Sequence, residues 1–438
     1  MPHVAYIAWG FPPSRSGGTY RQLATANALA AAGLDTTVIT VERRVFTDIT
    51  GADESLEALV DPRIKVIRTK FAWPLRETDQ ARWSPLRRLA PGPWRKARVL
   101  FESAVFPEVG YAEWRRALRA ALRELHREHP IDLVLATANP HVAFAAAHNF
   151  HQATGVPFIM DYRDGWSLDV FSGEDQFSAR DRRSSLEQRY LKDATQAWFV
   201  NSPIRDWYAR RYPEAAGRFR KVSNGWDPDL LRLSAAPRPP EKRPLTFGYL
   251  GTVSGKVPIA ELLEGWRLAR ADGLVPADAV LKVGGYIGFF NAVADLTRDA
   301  AGRQLLSAAD DAVEFTGAVP KTEVGAFYES LDVLVLALGA GRYVTSGKVF
   351  EYMATGKPIV SVHPPDSAAS EVLDGYPLWA RVSAVEPADV AQALGEGAQM
   401  AARLTPELRD AALAHGAEYT RSRQLGPAIA ELKALLDQ

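Results

Sequence analysis

The chain has 438 residues, in which 52 Lys plus Arg balance 52 Asp plus Glu. This length exceeds one typical hydrophobic core and predicts two domains of about 200 residues each. The zero net charge gives no indication of wholesale nucleic-acid binding, and the absence of cysteine excludes disulfides and thiolate metal sites. Because no apolar run reaches the roughly 18 residues of a spanning helix, we expect a cytoplasmic protein, at most peripheral to the inner membrane face.

The first βαβ unit consists of a strand at 3–8, a glycine-rich loop at 10–19, a helix at 20–33 and a strand at 36–41. The short first strand, interrupted at once by Gly10 and two prolines, is not typical of a signal peptide. Gly17 and Gly18 would let a ligand approach the backbone, and their N–H groups suit an anion. The loop matches neither the dinucleotide motif nor the P-loop, so a loop with nothing bound remains an alternative.

Residues 70–110 interrupt the alternation of strands and helices. Aromatic residues are interleaved there with arginines, at Trp73, Trp83, Trp94, Phe101 and Phe106 and at Arg76, Arg82, Arg87, Arg88, Arg95 and Arg98. This composition suits an anionic membrane surface or a lipid-phosphate acceptor. Because the stretch has no clean amphipathic period, packing of its aromatic rings on their own domain is an equally open alternative.

Two loops follow the next predicted strands, at 131–136 and 157–160, where ligands bind in open α/β sheets. The first loop carries His141, which is either a site residue or a structural histidine near a helix start. The second carries Asp161, Arg163 and Asp164, which either contact an acceptor or form a buried ion pair. The two aspartates lack a further ligand cluster, so we expect no metal site.

Four prolines at 234–244 predict a stiff linker. We therefore place a first domain at 1–235, a linker at 236–244, a second domain at 245–415 and a closing helix at 416–438 that returns to the first domain. Strands at 197–201 and 218–223 complete the first half. Strands at 245–250, 279–285, 312–317, 332–337 and 358–362 alternate with helices in the second, which predicts parallel sheets in both halves.

The second half contains a segment, 341–362, that is typical of a nucleotide site. Thr345, Ser346 and Gly347 offer small side chains and backbone N–H groups before a helix that begins at Lys348, and such a helix start can hold phosphate. Glu351, one turn later, could accept hydrogen bonds from a ribose diol. Alternatively, Ser346 is merely an N-cap and Glu351 a solvated carboxylate.

Two further loops of the second half end in small or basic residues. Gly251, Thr252 and Lys256 follow the strand at 245–250, and Gly285 ends the next strand. Lys256 is a candidate for pairing with a diphosphate, although a surface lysine is the more common occurrence.

Taken together, these residues resemble the GT-B glycosyltransferases. The segments 247–251, 313–317 and 347–360 are similar to the retaining group often called family 4, and Asn139 with Pro140 and the stretch 161–166 resemble the subset that builds surface polysaccharides on lipid-linked acceptors. The resemblance implies an α/β fold with two Rossmann-like domains whose parallel sheets face each other across a cleft.

The resemblance also implies roles for single residues. Glu351 matches the second glutamate of a two-glutamate motif and would hold the donor ribose, while Lys256 would stabilise the leaving diphosphate and His141 would contact the transferred sugar. The first glutamate is replaced by Tyr343, which puts some sugar contacts in doubt. The implied donor residues are Tyr343, Thr345, Ser346, Gly347, Lys348, Glu351, Gly251, Thr252 and Gly285, and the implied acceptor or cleft residues are Gly17, Gly18, Asn139, Asp161, Arg163 and Asp164.

The implied reaction is transfer of a sugar, with retention, from a UDP-, GDP- or TDP-sugar to the hydroxyl of a glycan, a lipid-linked acceptor or a small molecule. It requires no cofactor, and attack on the front face is assisted by the leaving phosphate. The alternatives are a nucleotide-sugar epimerase, an inverting transferase on the same fold, and a degenerate protein that binds a partner in an assembly complex.

Overall fold

The protein is described by a computed structural model, which covers residues 1–233, 243–253, 257–285, 312–339 and 341–437. The predicted linker lies outside the described residues up to position 242, as does Lys256. The chain divides into two compact units. The first comprises Met1–Asp169, Glu174–Ser223 and the chain from Leu425 onwards, and the second comprises Val170–Gly173 and Asn224–Gln424.

The first unit contains a seven-stranded parallel sheet with the order β3-β2-β1-β4-β5-β6-β7. Its strands are β1 His3–Ile7, β2 Asp35–Val41, β3 Lys65–Thr69, β4 Leu133–Ala138, β5 Phe158–Tyr162, β6 Gln196–Phe199 and β7 Phe219–Lys221. All residues of β1, β4 and β5 are buried, as expected for central strands that are covered on both faces.

Helices connect these strands. They are α1 Thr19–Ala31, α2 Arg43–Val45, α3 Pro85–Leu89, α4 Pro91–Val105, α5 Trp114–Glu128, α6 Val142–Thr154, α7 Arg182–Asp193 and α8 Ser202–Arg211. In α5 the buried residues are Trp114, Leu118, Leu122 and Leu125. This spacing of three or four residues places them on one face, which explains why this stretch forms an amphipathic helix against the sheet.

The second unit contains a parallel sheet whose described strands have the order β10-β9-β8-β11-β12-β13. They are β8 Thr246–Leu250, β9 Val280–Gly284, β10 Val313–Gly317, β11 Val333–Ala337, β12 Ile359–Val362 and β13 Trp379–Arg381. The described helices are α9 Ile259–Ala271, α10 Val324–Glu329, α11 Gly347–Met353, α12 Ala368–Leu373, α13 Pro387–Ala402, α14 Pro406–Glu418 and α15 Arg421–Leu436. The protein therefore consists of two Rossmann-like α/β domains.

The last helix, α15, ends in the first unit. Leu425, Ile429 and Leu432 join the apolar cluster around β1 and α1, and Arg220 pairs with Glu431 at 2.6 Å. No helix in the described parts of the chain combines the length and the apolarity needed to cross a bilayer.

Candidate active site

Each sheet has one position where neighbouring strands continue in opposite directions. In the first sheet this position lies between β1 and β4, and in the second between β8 and β11. Loops that leave the carboxyl ends of such strands diverge and leave a crevice where ligands bind in open α/β sheets. The loops predicted to carry site residues follow these strands or their neighbours.

In the first domain, Gly18 lies against the guanidinium of Arg163. A Cβ atom at Gly18 would come within 1.7 Å of Nη1 of Arg163, whereas one at Gly17 would meet nothing within 4 Å. The side chain of Asp164 lies 3.8 Å from Arg163 and accepts a 3.4 Å hydrogen bond from Asn139. The loops after β1, β4 and β5 thus bring four of the predicted residues together.

Asp161 has a different environment, which matches the buried ion pair that the sequence left open as the alternative to an acceptor contact. Its carboxylate is fully buried and pairs with Arg21 of α1 at 2.6 Å, and it also accepts a hydrogen bond from Thr137. Arg21 in addition donates to the carbonyl oxygen of Val222. Because these interior groups occupy the carboxylate, Asp161 joins α1 to β4 and β5 and does not face the solvent.

His141 lies at the start of α6 and is held by Glu108. The carboxylate of Glu108 accepts hydrogen bonds from the backbone N–H groups of His141 and Val142, at 3.0 and 2.8 Å, and lies 3.3 Å from Nδ1 of His141. The imidazole stacks on Trp166 with ring centroids 4.9 Å apart and an interplanar angle of 8°. In the described structure its buried Nε2 atom has no hydrogen-bond partner.

A buried carboxylate, Glu187, supports the loop that carries Trp166. It accepts hydrogen bonds from the hydroxyl groups of Tyr162, Tyr208 and Tyr212, at 2.9, 2.8 and 3.1 Å. Tyr208 in turn accepts from the backbone N–H of Trp166 at 2.7 Å. Burial raises the pKa of Glu187, while hydrogen bonds from its neighbours oppose that shift.

In the second domain, glycines lie at the carboxyl ends of neighbouring strands. Gly285 has a φ of +126°, and a Cβ atom there would come within 1.8 Å of the carbonyl oxygen of Gly251. The backbone N–H of Gly251 donates to Gly284 at 2.9 Å, and Thr252 follows as an exposed residue. The close approach of the Gly251 backbone, together with the positive φ, explains why glycine stands at 285, whereas a Cβ atom at Gly251 would collide with the ring of Tyr249.

Glu351 lies in α11 and has two partners that the sequence analysis did not identify. Lys321 donates to Oε1 at 2.7 Å, and the hydroxyl of the buried Tyr328 donates to Oε2 at 2.8 Å. Lys348, one turn earlier, is partly buried. Burial lowers the pKa of its ammonium group, Glu351 opposes the shift and Lys321 adds to it. The carboxylate of Glu351 is therefore held by two hydrogen-bond donors and lies near the ammonium groups of Lys321 and Lys348. It is not a solvated side chain.

The remaining donor-segment residues lie between β11 and α11. Tyr343 lies in a turn, and both Tyr343 and Thr345 are half-buried. Ser346 caps the helix, since its hydroxyl oxygen accepts from the backbone N–H of Lys348 at 3.3 Å. The helix that begins at Gly347 has only seven residues, so the phosphate contacts of Ser346 and Gly347 remain a prediction.

Two family models match the chain, one on each domain. Residues 16–225 match a glycosyl transferase 4-like domain, and residues 248–399 match the glycosyl transferases group 1. The chain belongs to the group 1 glycosyltransferases. It is therefore an enzyme of sugar transfer, and the predicted family and GT-B fold are confirmed.

Solved structures support the fold of this group 1 glycosyltransferase. Sucrose-phosphate synthase from Thermosynechococcus elongatus is 17% identical, with 99% of this chain and 100% of that chain covered and a TM-score of 0.65. A glycosyltransferase from Rickettsia africae is 11% identical, with 99% and 98% covered and a TM-score of 0.65. HepE from Anabaena, in complex with UDP and glucose, is 14% identical, with 98% and 99% covered and a TM-score of 0.62. The curated proteins give no significant sequence match.

The aromatic residues of 70–110 divide into two groups in this glycosyltransferase. Trp73 and Phe106 are buried, and Trp73 packs edge-on to Trp9 with ring centroids 5.9 Å apart. Trp83 and Trp94 are only partly buried and hold the guanidinium of Arg87 at 3.9 and 4.7 Å from their ring centroids. The aromatic side chains near the two ends of the stretch therefore pack on their own domain, which was one of the two alternatives. The two tryptophans in its middle are only partly covered.

Metal-capable side chains come together at the opposite edge of the first sheet. Among the described residues, His3, Asp35 and His129 form a group with ligand atoms within 4.8 Å of one another. Both ring nitrogens of His3 already have partners, the carbonyl oxygen of Pro130 and the hydroxyl of Thr37. Because His3 and Asp35 begin β1 and β2, the group lies away from the carboxyl ends that carry the predicted site.

Proposed function

We propose that the protein transfers a sugar, with retention of the anomeric configuration, from a nucleoside diphosphate sugar to a hydroxyl acceptor. The main support is the match of each domain to a glycosyltransferase model, with the predicted polar residues on the loops after the central strands. Two similar structures contain this class of ligand, namely HepE with UDP-glucose and an Escherichia coli structure bound with UDP-2-fluoro glucose. The second domain binds the donor.

Glu351 binds the donor ribose in this proposal. An ionised carboxylate has about four acceptor positions, and Lys321 and Tyr328 each take one of them. These two donors fix the plane of the carboxylate, and the remaining positions accept from the two ribose hydroxyl groups. Lys348, and Lys256 outside the described residues, neutralise the departing diphosphate.

The reaction proceeds on one face of the sugar. The bond from the anomeric carbon to the diphosphate oxygen breaks as the acceptor oxygen bonds to the same face, and the acceptor proton passes to the leaving phosphate. Positive charge on the sugar and negative charge on the phosphate grow together, so cations around the phosphate lower the barrier. The first domain supplies the acceptor-side groups.

The described carboxylates near His141 favour this route over a covalent intermediate on the enzyme. Asp161 is paired with Arg21, and Glu108 is bonded to the start of α6. Asp164 is more exposed and has only long contacts, which makes it the one described carboxylate of this group to test as a nucleophile. A glycosyl adduct on Asp164, found by mass spectrometry, would contradict front-face transfer.

A panel of UDP-, GDP- and TDP-sugars, with Glu351→Gln as the diagnostic variant, tests the donor assignment. Loss of a charged hydrogen bond to ribose weakens binding by about 1.5–3 kcal/mol, or roughly 10–100-fold in Kd. Glu396→Gln, on the exposed side of α13, is the matched control and retains wild-type affinity. Titration calorimetry with each nucleotide and nucleotide sugar gives the affinities.

Three outcomes would contradict the proposal. Epimerisation of a sugar without an acceptor would assign the enzyme to the epimerases, and inversion in the product would make it an inverting transferase. If Glu351→Gln left donor affinity and activity in the cell unchanged, a degenerate site with a binding role would explain the protein better.

We further infer that residues 80–101, which contain α3 and the first part of α4, contact an anionic lipid surface. This segment carries six Lys or Arg and no Asp or Glu, and none of its residues is buried, although Arg82 and Arg98 pair with acidic residues outside it. Leu86, Leu89 and Leu100 are 73%, 84% and 71% exposed, and Phe101 is exposed beside them. Exposed apolar side chains among cations fit a surface that is anionic and has an apolar interior, and such contact would bring the enzyme to a lipid-linked acceptor.

Co-sedimentation with vesicles tests the lipid contact. The wild-type protein should bind vesicles with anionic lipid more tightly than neutral ones, and salt should weaken binding. Replacing Leu86, Leu89 and Leu100 with serine should reduce binding by at least about 10-fold, because the burial of even one leucine contributes about 1.5–3 kcal/mol. Leu408→Ser, at an exposed position of α14, is the control. Equal binding by the triple variant would refute the contact.

A further inference from the structure

We propose that Glu108 is a positioning residue that fixes the tautomer of His141, so that Nε2 of His141 accepts a hydrogen bond from a substrate hydroxyl. The inference rests on the proposed function, because it takes the hydroxyl from the transferred sugar or from the acceptor. Glu108 belongs to the 70–110 stretch and lies 33 residues before His141. The stretch would thus contribute directly to the site.

The position of the carboxylate is fixed by three contacts. Backbone N–H groups of His141 and Val142 donate to its two oxygens, and Nδ1 of His141 lies 3.3 Å from the oxygen that also accepts from the His141 backbone. These N–H groups belong to the first turn of α6, where they have no partner inside the helix. Glu108 therefore holds the start of the helix and the imidazole with the same group.

The plane of the imidazole is fixed as well. Trp166 stacks on one face at 4.9 Å, and Phe144 lies edge-on with its centroid at 5.8 Å. The backbone of Trp166 is in turn bonded to Tyr208, whose hydroxyl donates to the buried Glu187. The contacts with Trp166 and Phe144 therefore oppose a rotation of the imidazole that would point Nδ1 of His141 away from Glu108.

The protonation pattern follows from hydrogen-bond chemistry. An ionised carboxylate only accepts, so Nδ1 of His141 carries the hydrogen atom. In the neutral imidazole this leaves a lone pair on Nε2, and this atom is buried without a partner in the described protein. A buried acceptor requires a donor. A sugar hydroxyl supplies one, whereas a phosphate oxygen in its ionised form does not.

Nuclear magnetic resonance of protein labelled with ¹⁵N-histidine reads the tautomer without an activity assay. The wild-type His141 signal, assigned with His141→Gln, should show hydrogen on Nδ1 and none on Nε2 in the neutral ring. Glu108→Ala should shift the population towards the Nε2–H form. A wild-type ring with hydrogen on Nε2, or a tautomer unchanged in Glu108→Ala, would overturn the proposal.

A second histidine–carboxylate pair provides the matched control. Nε2 of His148, which lies in the same helix α6, is 2.9 Å from Asp193. Asp193→Asn should alter the His148 signal and leave that of His141 unchanged. If Glu108→Ala changes all histidine signals together, the variant has disturbed the fold, and Glu108→Gln then provides the test, since its single carbonyl oxygen cannot accept from all three N–H groups.

Ligand titrations identify the hydroxyl. A shift of the His141 Nε2 signal with a nucleoside diphosphate sugar, but not with the nucleoside diphosphate, assigns it to the transferred sugar. A shift only with a methyl glycoside assigns it to the acceptor, and no shift with either overturns the hydroxyl contact. Glu108→Ala should lower kcat/KM by about 10–100-fold, the range for outer partners of metal-bound histidines. If no sugar is transferred yet the tautomer is as stated, the proposed function fails and the positioning by Glu108 does not.

Discussion

At the scale of single residues, the buried pair of Arg21 and Asp161 should be the most sensitive stability element of the first domain. Removal of one partner leaves an uncompensated buried charge, which costs about 3–5 kcal/mol. Asp161→Asn should lower the free energy of unfolding by this amount in equilibrium urea denaturation. Asp164→Asn, at a half-buried neighbour with only long contacts, should change it by less than about 0.5 kcal/mol. A loss below about 1 kcal/mol for Asp161→Asn would show that the pair is not stabilising.

At this same scale, the proposed role of Lys348 in phosphate binding predicts that donor affinity depends on pH. Burial lowers the pKa of its ammonium group, so in the free protein the proton is lost below the ordinary lysine value of about 10.4. Since the protonated form attracts the diphosphate, UDP affinity should be full at low pH and fall as pH rises through the lowered pKa. Lys348→Arg, whose charge does not titrate, should bind UDP without this decline. Identical pH profiles for the two proteins would refute a role of Lys348 in phosphate binding.

At the scale of elements, the C-terminal end of α10 depends on one side chain from outside the helix. Nζ of Lys357 donates to the carbonyl oxygens of Tyr328 and Glu329, at 2.9 and 2.8 Å, and to that of Leu331. Lys357→Met has a similar length but no donor, so it should destabilise the second domain by about 1–3 kcal/mol. Thermal unfolding measures the loss, with Lys70→Met at an exposed position as control. A variant as stable as the control would contradict this role.

Most elements could be predicted because their patterns are local. The continuous apolar run of β11 gave its bounds to within one residue, since all five residues are buried. The three-residue strand β13 at the edge of the sheet has no such pattern. The final helix begins at Arg421, five residues after the predicted start at 416, although Pro427 lies inside it. A proline normally ends a helix, but here the flanking Leu425 and Ile429 pack into the first domain's apolar cluster.

At the scale of the whole molecule, the sequence predicted which loops carry the candidate site but not how their side chains are paired. Gly18, Asn139, Arg163 and Asp164 were expected from the ends of strands, and the described loops bring them together. The burial of Asp161 depends on Arg21, 140 residues away. No local pattern carries such information.

The groups that hold the candidate site residues were missed for the same reason. Glu108, which holds His141, lies in an irregular stretch, and Lys321, which holds Glu351, stands 30 residues before it in an ordinary helical context. In the sequence, Glu187 looks like any charged residue of a polar helix. Only the structure shows that three tyrosine hydroxyl groups donate hydrogen bonds to it. Contacts between distant parts of the chain decide these roles.

The anomeric configuration of the product tests the central claim most directly. The enzyme would be incubated with its nucleoside diphosphate sugar and a hydroxyl acceptor, and the new glycosidic bond examined by nuclear magnetic resonance before any further turnover. Retaining transfer predicts the same anomeric configuration in the product as in the donor. A product of inverted configuration would contradict the account.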